Sequence, residues 1–177
     1  SLLRPGDNGI GAMLGAGWWS EHSGFFTGWQ DQYGTRQSLL GKIVIEYADG
    51  TRETIVTNDS WKCYDRGPIT FNGLQNGEEY DARKELGSWS ETGYDDSTWL
   101  QAERVSIPSG YLRGQTIPGI KVVEKVNPRT IRKSANGYIL DMGQNMVGWL
   151  RIRVKGNAGD SVRLRFAETL QPDGELY

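Results

Sequence analysis

The residues of this chain best suited to chemistry lie in one aromatic segment near its start. Residues 14–29 hold three tryptophans and two phenylalanines among four glycines, a pattern too irregular for a strand and too apolar for an ordinary loop. An indole face favours the C–H face of a sugar, because both surfaces lose water on contact. Trp18, Trp19 and Trp29 are therefore candidates for a sugar platform. Packing inside the protein is the alternative, and solvent exposure decides between the two.

A second group of polar side chains surrounds a turn in the middle of the chain. Glu78, Glu79 and Asp81 stand close together in sequence, and a glycosidase needs two carboxyl groups about 5–10 Å apart. Spacing along the sequence does not fix that distance. A carboxylate on a tight turn also accepts backbone N–H bonds or pairs with a residue such as Arg83. We favour this structural interpretation over catalysis and keep Glu79, Asp81 and Arg83 as candidates for sugar contact.

Several classes of chemistry lack their residues. His22 is the only histidine and Cys63 the only cysteine, so a disulfide within the chain and a cysteine-based zinc site are excluded. The serines near His22 stand in no nucleophile motif. We interpret His22 as a hydrogen-bonding loop residue and keep it as a candidate sugar contact, because it lies in the aromatic segment.

Charge and hydropathy exclude two kinds of partner. The 20 basic and 22 acidic residues leave a net charge of −2, so no field over the whole chain gathers a nucleic acid. No apolar run approaches the roughly 20 residues of a membrane-spanning helix. We therefore expect neither nucleic acid nor membrane as a partner.

Short strands joined by glycine-rich turns are the elements expected to position these side chains. Apolar residues alternate within residues 39–47, Asp49-Gly50 turns the chain, and residues 51–56 return, which predicts a hairpin. No window shows a convincing helical period. The predicted fold class is all-β, with a sandwich as the default architecture.

A second alternating pattern lies near the end of the chain. Residues 150–155 and 162–166 alternate apolar with basic side chains on either side of a turn. This period of two predicts antiparallel strands with one buried face. Four tryptophans outside the aromatic segment are expected to pack rather than bind sugar: Trp61, Trp89, Trp99 and Trp149.

Prolines between the two strand regions indicate a domain boundary near Pro108. We predict a first domain over residues 1–107 and a second over residues 108–177. The sequence begins and ends within strand and turn patterns, so we expect the first domain to be truncated at its N-terminus and the second at its C-terminus. Localisation stays open: a periplasmic or secreted protein is one expectation, and any export signal would lie upstream.

Five segments carry a resemblance to a known family. The chain resembles the N-terminal β-sandwich of bacterial α-L-rhamnosidases, glycoside hydrolase family 78, at three of them: GPITFNGL and NGEEYDAR within residues 67–83, and residues 93–102. Residues 140–149 and 167–177 resemble the opening of the next β domain of that family. The resemblance implies a galactose-binding-like jelly-roll sandwich followed by the start of a second antiparallel sandwich.

The same resemblance implies an inverting hydrolase that removes terminal α-L-rhamnosyl residues with a general acid and a general base. In that family both carboxylates lie on a later (α/α)6 barrel, so we expect no catalytic residue in this chain and no activity from it alone. The expected partners are rhamnose-containing glycans or glycosides and the remaining domains of the parent enzyme. An autonomous carbohydrate-binding module and a purely structural support remain the alternatives.

Calcium also follows from the resemblance, since some related modules bind L-rhamnose through this ion. Calcium takes several oxygen ligands, and Asn72, Asn76 and Asp81 are the candidates in this sequence. The family pattern has an acidic or amide residue before its Gly-Trp pair, whereas Ala16 stands before Gly17-Trp18 here. The sequence departs from the family at this position.

Overall fold

The computed structural model describes residues 3–21, 31–106 and 109–177, and strands form most of the regular structure in them. In chain order the elements are α1 (Gly17–Ser20), β1 (Lys42–Glu46), β2 (Arg52–Val56), β3 (Lys62–Cys63), β4 (Ile69–Gly73), β5 (Gly77–Tyr80), a 3₁₀ turn (Ala82–Lys84), β6 (Leu100–Gln101), β7 (Thr130–Ser134) and β8 (Gly137–Asp141). The predicted all-β class is confirmed. No helix in these ranges has the length and apolar character needed to cross a bilayer.

The strands of the described ranges pair two by two, always antiparallel. β1 pairs with β2, β3 with β6, β4 with β5, and β7 with β8. Three of these pairs are hairpins of neighbouring strands, and the fourth brings residues 62–63 beside residues 100–101. No sheet larger than two strands occurs in the described ranges, and the jelly-roll sandwich stays a prediction.

The first predicted hairpin is confirmed. Ile43 faces Ile55 in its register, and the turn lies at the predicted Asp49-Gly50. The Asp49 carboxylate accepts the backbone N–H of Thr51 at 2.9 Å. Gly50 has φ +84°, a conformation that glycine adopts without the steric cost a Cβ brings.

The second predicted hairpin is wrong as a strand pair. A turn does form, because Asp160 donates its backbone N–H to the Asn157 carbonyl at 3.0 Å. Residues 150–155 and 162–166, called the basic arms from here on, nevertheless form no ladder. Alternation predicts which face of a strand is apolar but not which strand accepts its hydrogen bonds. The apolar side chains of the arms stay exposed, so burial does not reinforce a two-stranded pair that is marginal alone.

The hairpin that does form near the end of the chain is β7–β8. Ser134 faces Gly137 across a two-residue turn, and Gly137 has φ +140°. An Asn-Gly dipeptide is a strong short-range hairpin signal, and Asn136-Gly137 ends this turn, although no hairpin was predicted here from the sequence. Ile139, on β8, is the only hydrophobic residue that is buried in the described ranges.

Two compact units divide the chain, Ser1–Tyr111 and Leu112–Tyr177. The predicted boundary falls on residues 107 and 108, which lie outside the described ranges, so it stays a prediction. Exposed apolar side chains occur in both units, for example Leu74 at 60% and Ile120 at 94%.

Aromatic packing in the first unit centres on Trp99. Its ring lies 5.6 Å from Tyr64, 6.4 Å from Trp89 and 5.7 Å from Tyr94, measured between centroids. The expected packing of Trp89 and Trp99 is confirmed. The predicted packing of Trp149 is wrong. This residue is 69% exposed, because nothing in the described ranges covers it.

Replacing Gly50 with alanine should weaken the β1–β2 hairpin. A Cβ in the left-handed region costs about 1 kcal/mol of unfolding free energy, and the space around Gly50 is open, so no clash adds to that cost. Urea unfolding of the chain measures the loss. Gly67→Ala is the matched control, because Gly67 is also in open space and has no positive φ. Equal midpoints for the two variants would contradict the prediction.

Candidate functional site

The aromatic segment forms a short helical turn that presents one tryptophan to solvent. Residues 14–21, called the tryptophan turn from here on, contain α1, whose Trp19 and Ser20 amides both donate to the Ala16 carbonyl at 3.2 Å. Gly17 allows the entry into α1 with φ +49°. Trp18 is 56% exposed. The turn thus places an indole where a ligand reaches it.

Trp19 packs against the protein and anchors the turn. Its indole Nε1 donates to the Arg36 carbonyl at 2.9 Å, and its ring stacks on Tyr33 with centroids 6.3 Å apart. A Cβ on Gly34 would lie 2.6 Å from the indole Nε1, so a glycine is needed at this close approach. Of the two adjacent tryptophans, only Trp18 keeps the exposure that a sugar platform needs.

The end of the turn contains two buried polar residues. Ser20 is 7% exposed and its hydroxyl accepts a hydrogen bond from the Gln37 amide at 2.7 Å. Glu21 is 8% exposed and its Oε1 accepts the backbone N–H of Gln75 at 3.0 Å. A carboxylate withdrawn from water is costly unless hydrogen bonds replace its hydration. The bond to Gln75 therefore joins the turn firmly to the loop between β4 and β5.

The start of the turn is held by the same hairpin. Asn72, on β4, accepts the backbone N–H of Ala16 through its Oδ1 at 2.8 Å. A Cβ on Gly15 would lie 3.3 Å from that oxygen, and a Cβ on Gly73 would lie 2.7 Å from Oε1 of Glu21. Both side-chain acceptors thus approach the backbone beside a glycine. The turn and the tip of β4–β5 form one hydrogen-bonded arrangement.

Asp81 and Arg83 interact with each other beyond the other end of the hairpin. Oδ1 of Asp81 accepts the Arg83 backbone N–H at 3.1 Å and Nε at 2.8 Å, while Oδ2 accepts a terminal guanidinium N–H at 2.8 Å. The hydrogen bonds from Arg83 lower the pKa of Asp81 from 3.8 to about 2. Asp81 caps the 3₁₀ turn, as the structural interpretation of the sequence expects.

The glutamates of β5 do not form an acid–base pair. Glu78 and Glu79 are consecutive in a strand, so their side chains point to opposite faces. Both are exposed. Glu79 and Asp81 share a face, but both carboxylate oxygens of Asp81 are engaged by Arg83. The described part of the hairpin therefore offers no second free carboxyl beside Glu79.

Two of the candidate calcium ligands have other partners in this structure. The Asn72 Oδ1 accepts the Ala16 N–H, and both carboxylate oxygens of Asp81 accept hydrogen bonds from Arg83. No group of three His, Cys, Asp or Glu side chains suited to a metal occurs among the described residues. Asn76 lies in the loop between β4 and β5, and the calcium ion itself stays a prediction.

Some residues of the tryptophan turn and the β4–β5 hairpin were predicted from the sequence as site residues, and others were not. His22 and Trp29 lie outside the described ranges, so their candidate roles stay predictions. Asn72 was named as a metal ligand, and its observed partner is a backbone amide. Glu21 was not named, although a lone carboxylate within an aromatic segment is a signal for a buried hydrogen bond.

The chain is similar to α-L-rhamnosidases along its whole length. The family model described as the α-L-rhamnosidase N-terminal domain matches residues 1–124, and the bacterial α-L-rhamnosidase concanavalin-like domain matches residues 131–177. A curated α-L-rhamnosidase of Streptomyces avermitilis is 40% identical over 100% of this chain and 17% of its own length. One of Alteromonas sp. is 35% identical over 100% of this chain and 19% of its own. The chain thus spans less than a fifth of these relatives.

Solved structures show the same similarity. The crystal structure of the Streptomyces avermitilis α-L-rhamnosidase complexed with L-rhamnose matches 91% of this chain and 16% of its own, at 40% identity and a TM-score of 0.81. The native enzyme from Aspergillus terreus matches 93% of this chain and 19% of its own, at 36% identity and a TM-score of 0.83.

The contact between Asp81 and Arg83 should make the free energy of unfolding depend on pH. Because the pKa of Asp81 in the folded chain is about 2, below its ordinary 3.8, its contribution to stability is complete above about pH 4 and is lost as the pH falls through 2. Urea unfolding at pH 5 should find the chain more stable than Asp81→Asn, and the difference should shrink towards pH 2. A difference that is independent of pH would contradict this assignment.

Proposed function

Because the chain belongs to the α-L-rhamnosidase family and corresponds to its N-terminal region, we propose that it is a non-catalytic segment whose tryptophan turn binds rhamnose-containing glycans. The single observation that carries the proposal is the exposed indole of Trp18 on a turn fixed by hydrogen bonds. The proposed ligand is a terminal α-L-rhamnosyl residue, and the remaining domains of the parent enzyme are the other proposed partners.

The chemistry of rhamnose suits this indole. Rhamnose is a 6-deoxy sugar, so a methyl group replaces one hydroxymethyl and adds apolar surface to a C–H face. Burying both against an indole releases water at little polar cost. The rhamnose bound in the Streptomyces avermitilis crystal structure supports the choice of sugar, although that ligand belongs to a much longer chain.

Proton transfer in the parent enzyme belongs, in this proposal, to another domain. Inversion needs two carboxyl groups about 6.5–9.5 Å apart with room for a water molecule. Glu78 and Glu79 point to opposite faces of β5, and Arg83 engages Asp81. The helical barrel that the family resemblance implies is the proposed location of the acid and the base.

A structural role is the second candidate, and one observation favours it. Apolar side chains of the basic arms remain exposed, for example Val154 at 61% and Phe166 at 76%. Apolar surface of this kind marks a contact with another domain. In a purely structural segment Trp18 would belong to such a contact, and the isolated chain would bind no sugar.

Replacing Trp18 with alanine should remove sugar binding. Titration calorimetry of the chain with methyl α-L-rhamnoside measures the affinity, which we expect to fall about tenfold or more when the indole contact is lost. Trp18→Phe should retain part of it. Trp149→Ala is the matched control, because Trp149 is also open to solvent but lies in the second unit.

Two further measurements separate the sugar-binding role from the structural role. A flat isotherm for the unaltered chain at millimolar rhamnoside would rule out the sugar-binding role and leave the structural one. Repeating the titration with a calcium chelator tests the ion: unchanged affinity would remove calcium from the proposal.

The isolated chain should not hydrolyse an aryl α-L-rhamnoside. Release of the phenol, followed by absorbance at micromolar protein, is expected to match the buffer blank, because the described part of the β4–β5 hairpin offers no free acid–base pair. Turnover that copurifies with the chain and disappears in a Glu79→Gln variant would place catalysis here and overturn the proposal.

A further inference from the structure

Two side chains that lie far apart in sequence clamp the tryptophan turn to the tip of the β4–β5 hairpin. We propose that Glu21 and Asn72 are positioning residues that fix the orientation of the Trp18 indole for its ligand. Neither residue needs to touch the sugar. The part of this inference that concerns sugar affinity rests on the proposed function, whereas the clamp itself does not.

The clamp holds both ends of the turn. Asn72 accepts the N–H of Ala16, before α1, and Glu21 reaches from the end of α1 to the N–H of Gln75. These contacts join residues 56 and 54 positions apart in sequence. A single helical turn of four residues is unstable by itself. Contacts with the rest of the first unit therefore stabilise its conformation: Trp19 anchors its middle, and Asn72 and Glu21 hold its two ends.

The two acceptors satisfy amides that regular structure leaves open. Ala16 precedes α1, so no helical carbonyl accepts its N–H. Gln75 lies in the loop between β4 and β5, outside the ladder. Glu21 is 8% exposed, so little water can replace its carboxylate there. Removing either side chain should release its amide and loosen one end of the turn.

Glycines admit both acceptors to the backbone. A Cβ on Gly73 would lie 2.7 Å from the Glu21 Oε1, and one on Gly15 would lie 3.3 Å from the Asn72 Oδ1. Neither glycine has a positive φ, so neither is demanded by backbone conformation. At Gly73 the reason for glycine is the space that the Glu21 carboxylate occupies.

The direction of Trp18 can be measured without any sugar. In the chain labelled with 5-fluorotryptophan, the Trp18 resonance is assigned by its loss in Trp18→Phe. Glu21→Ala and Asn72→Ala should each shift or broaden this line, while the lines of Trp89 and Trp99 stay in place and report intact folding. Glu21→Gln and Asn72→Asp keep the acceptor oxygen and should restore the original line.

Amide exchange shows whether the loosening spreads along the turn. In Glu21→Ala the amides of Gln75, Trp19 and Ser20 should exchange about tenfold faster, as expected when a well-placed hydrogen bond is lost. Glu78→Ala is the matched control, an exposed glutamate on the same hairpin, and should change none of them. Faster exchange at Gln75 alone, with an unmoved Trp18 resonance, would overturn the clamp.

A double-mutant cycle then tests the contact itself. Gly73→Ala should displace Glu21 and weaken rhamnoside binding about tenfold, whereas in a Glu21→Ala background the same change should add little. Gly67→Ala, in open space, should leave affinity unchanged. Additive effects of Gly73→Ala and Glu21→Ala would contradict the assigned contact.

The outcomes separate this inference from the proposed function. Absence of rhamnoside binding in the unaltered chain removes the sugar role, and the fluorine and exchange measurements still decide the clamp. If the sugar binds and Glu21→Ala changes neither the affinity nor the Trp18 resonance, the positioning role of Glu21 is contradicted and the proposed sugar site is not.

Discussion

A buried carboxylate that accepts a loop amide is the interaction on which the organised part of this chain depends. Glu21 satisfies the N–H of Gln75, and a hairpin and a distant aromatic segment are thereby joined. Ser20 and Glu21 are buried as deeply as Ile139, the only buried hydrophobic residue of the described ranges. Polar contacts between backbone and side chain, rather than an apolar core, define the site.

The sequence predicted those features that depend on local periodicity and turn chemistry. The all-β class and the turn at Asp49-Gly50 followed from alternation and from the preference of glycine for positive φ. Asp81 was interpreted as a structural carboxylate paired with Arg83, and the structure shows that pair. The Asp49–Thr51 and Asp81–Arg83 contacts each link residues two positions apart.

Contacts between distant segments could not be predicted in the same way. Asn72 was identified as an oxygen donor, but its partner, the amide of Ala16, lies 56 residues away and has no side-chain signature. Alternation in residues 150–155 and 162–166 predicted a strand pair that does not form, because alternation does not determine which strand accepts the hydrogen bonds. Solvent exposure likewise depends on tertiary contacts. Trp18 is exposed and Trp19 is half-buried, although the two are adjacent in sequence.

The basic arms have a consequence for the behaviour of this chain in solution. An open strand-like segment with apolar side chains is a template for edge-to-edge aggregation, yet Arg151, Arg153 and Lys155 alternate with them on the first arm, and two more arginines do so on the second. A second copy approaching in register meets like charges. Salt screens this repulsion, since the Debye length falls to about 3 Å at 1 M, so we expect pairing between the arms of two copies to increase with ionic strength.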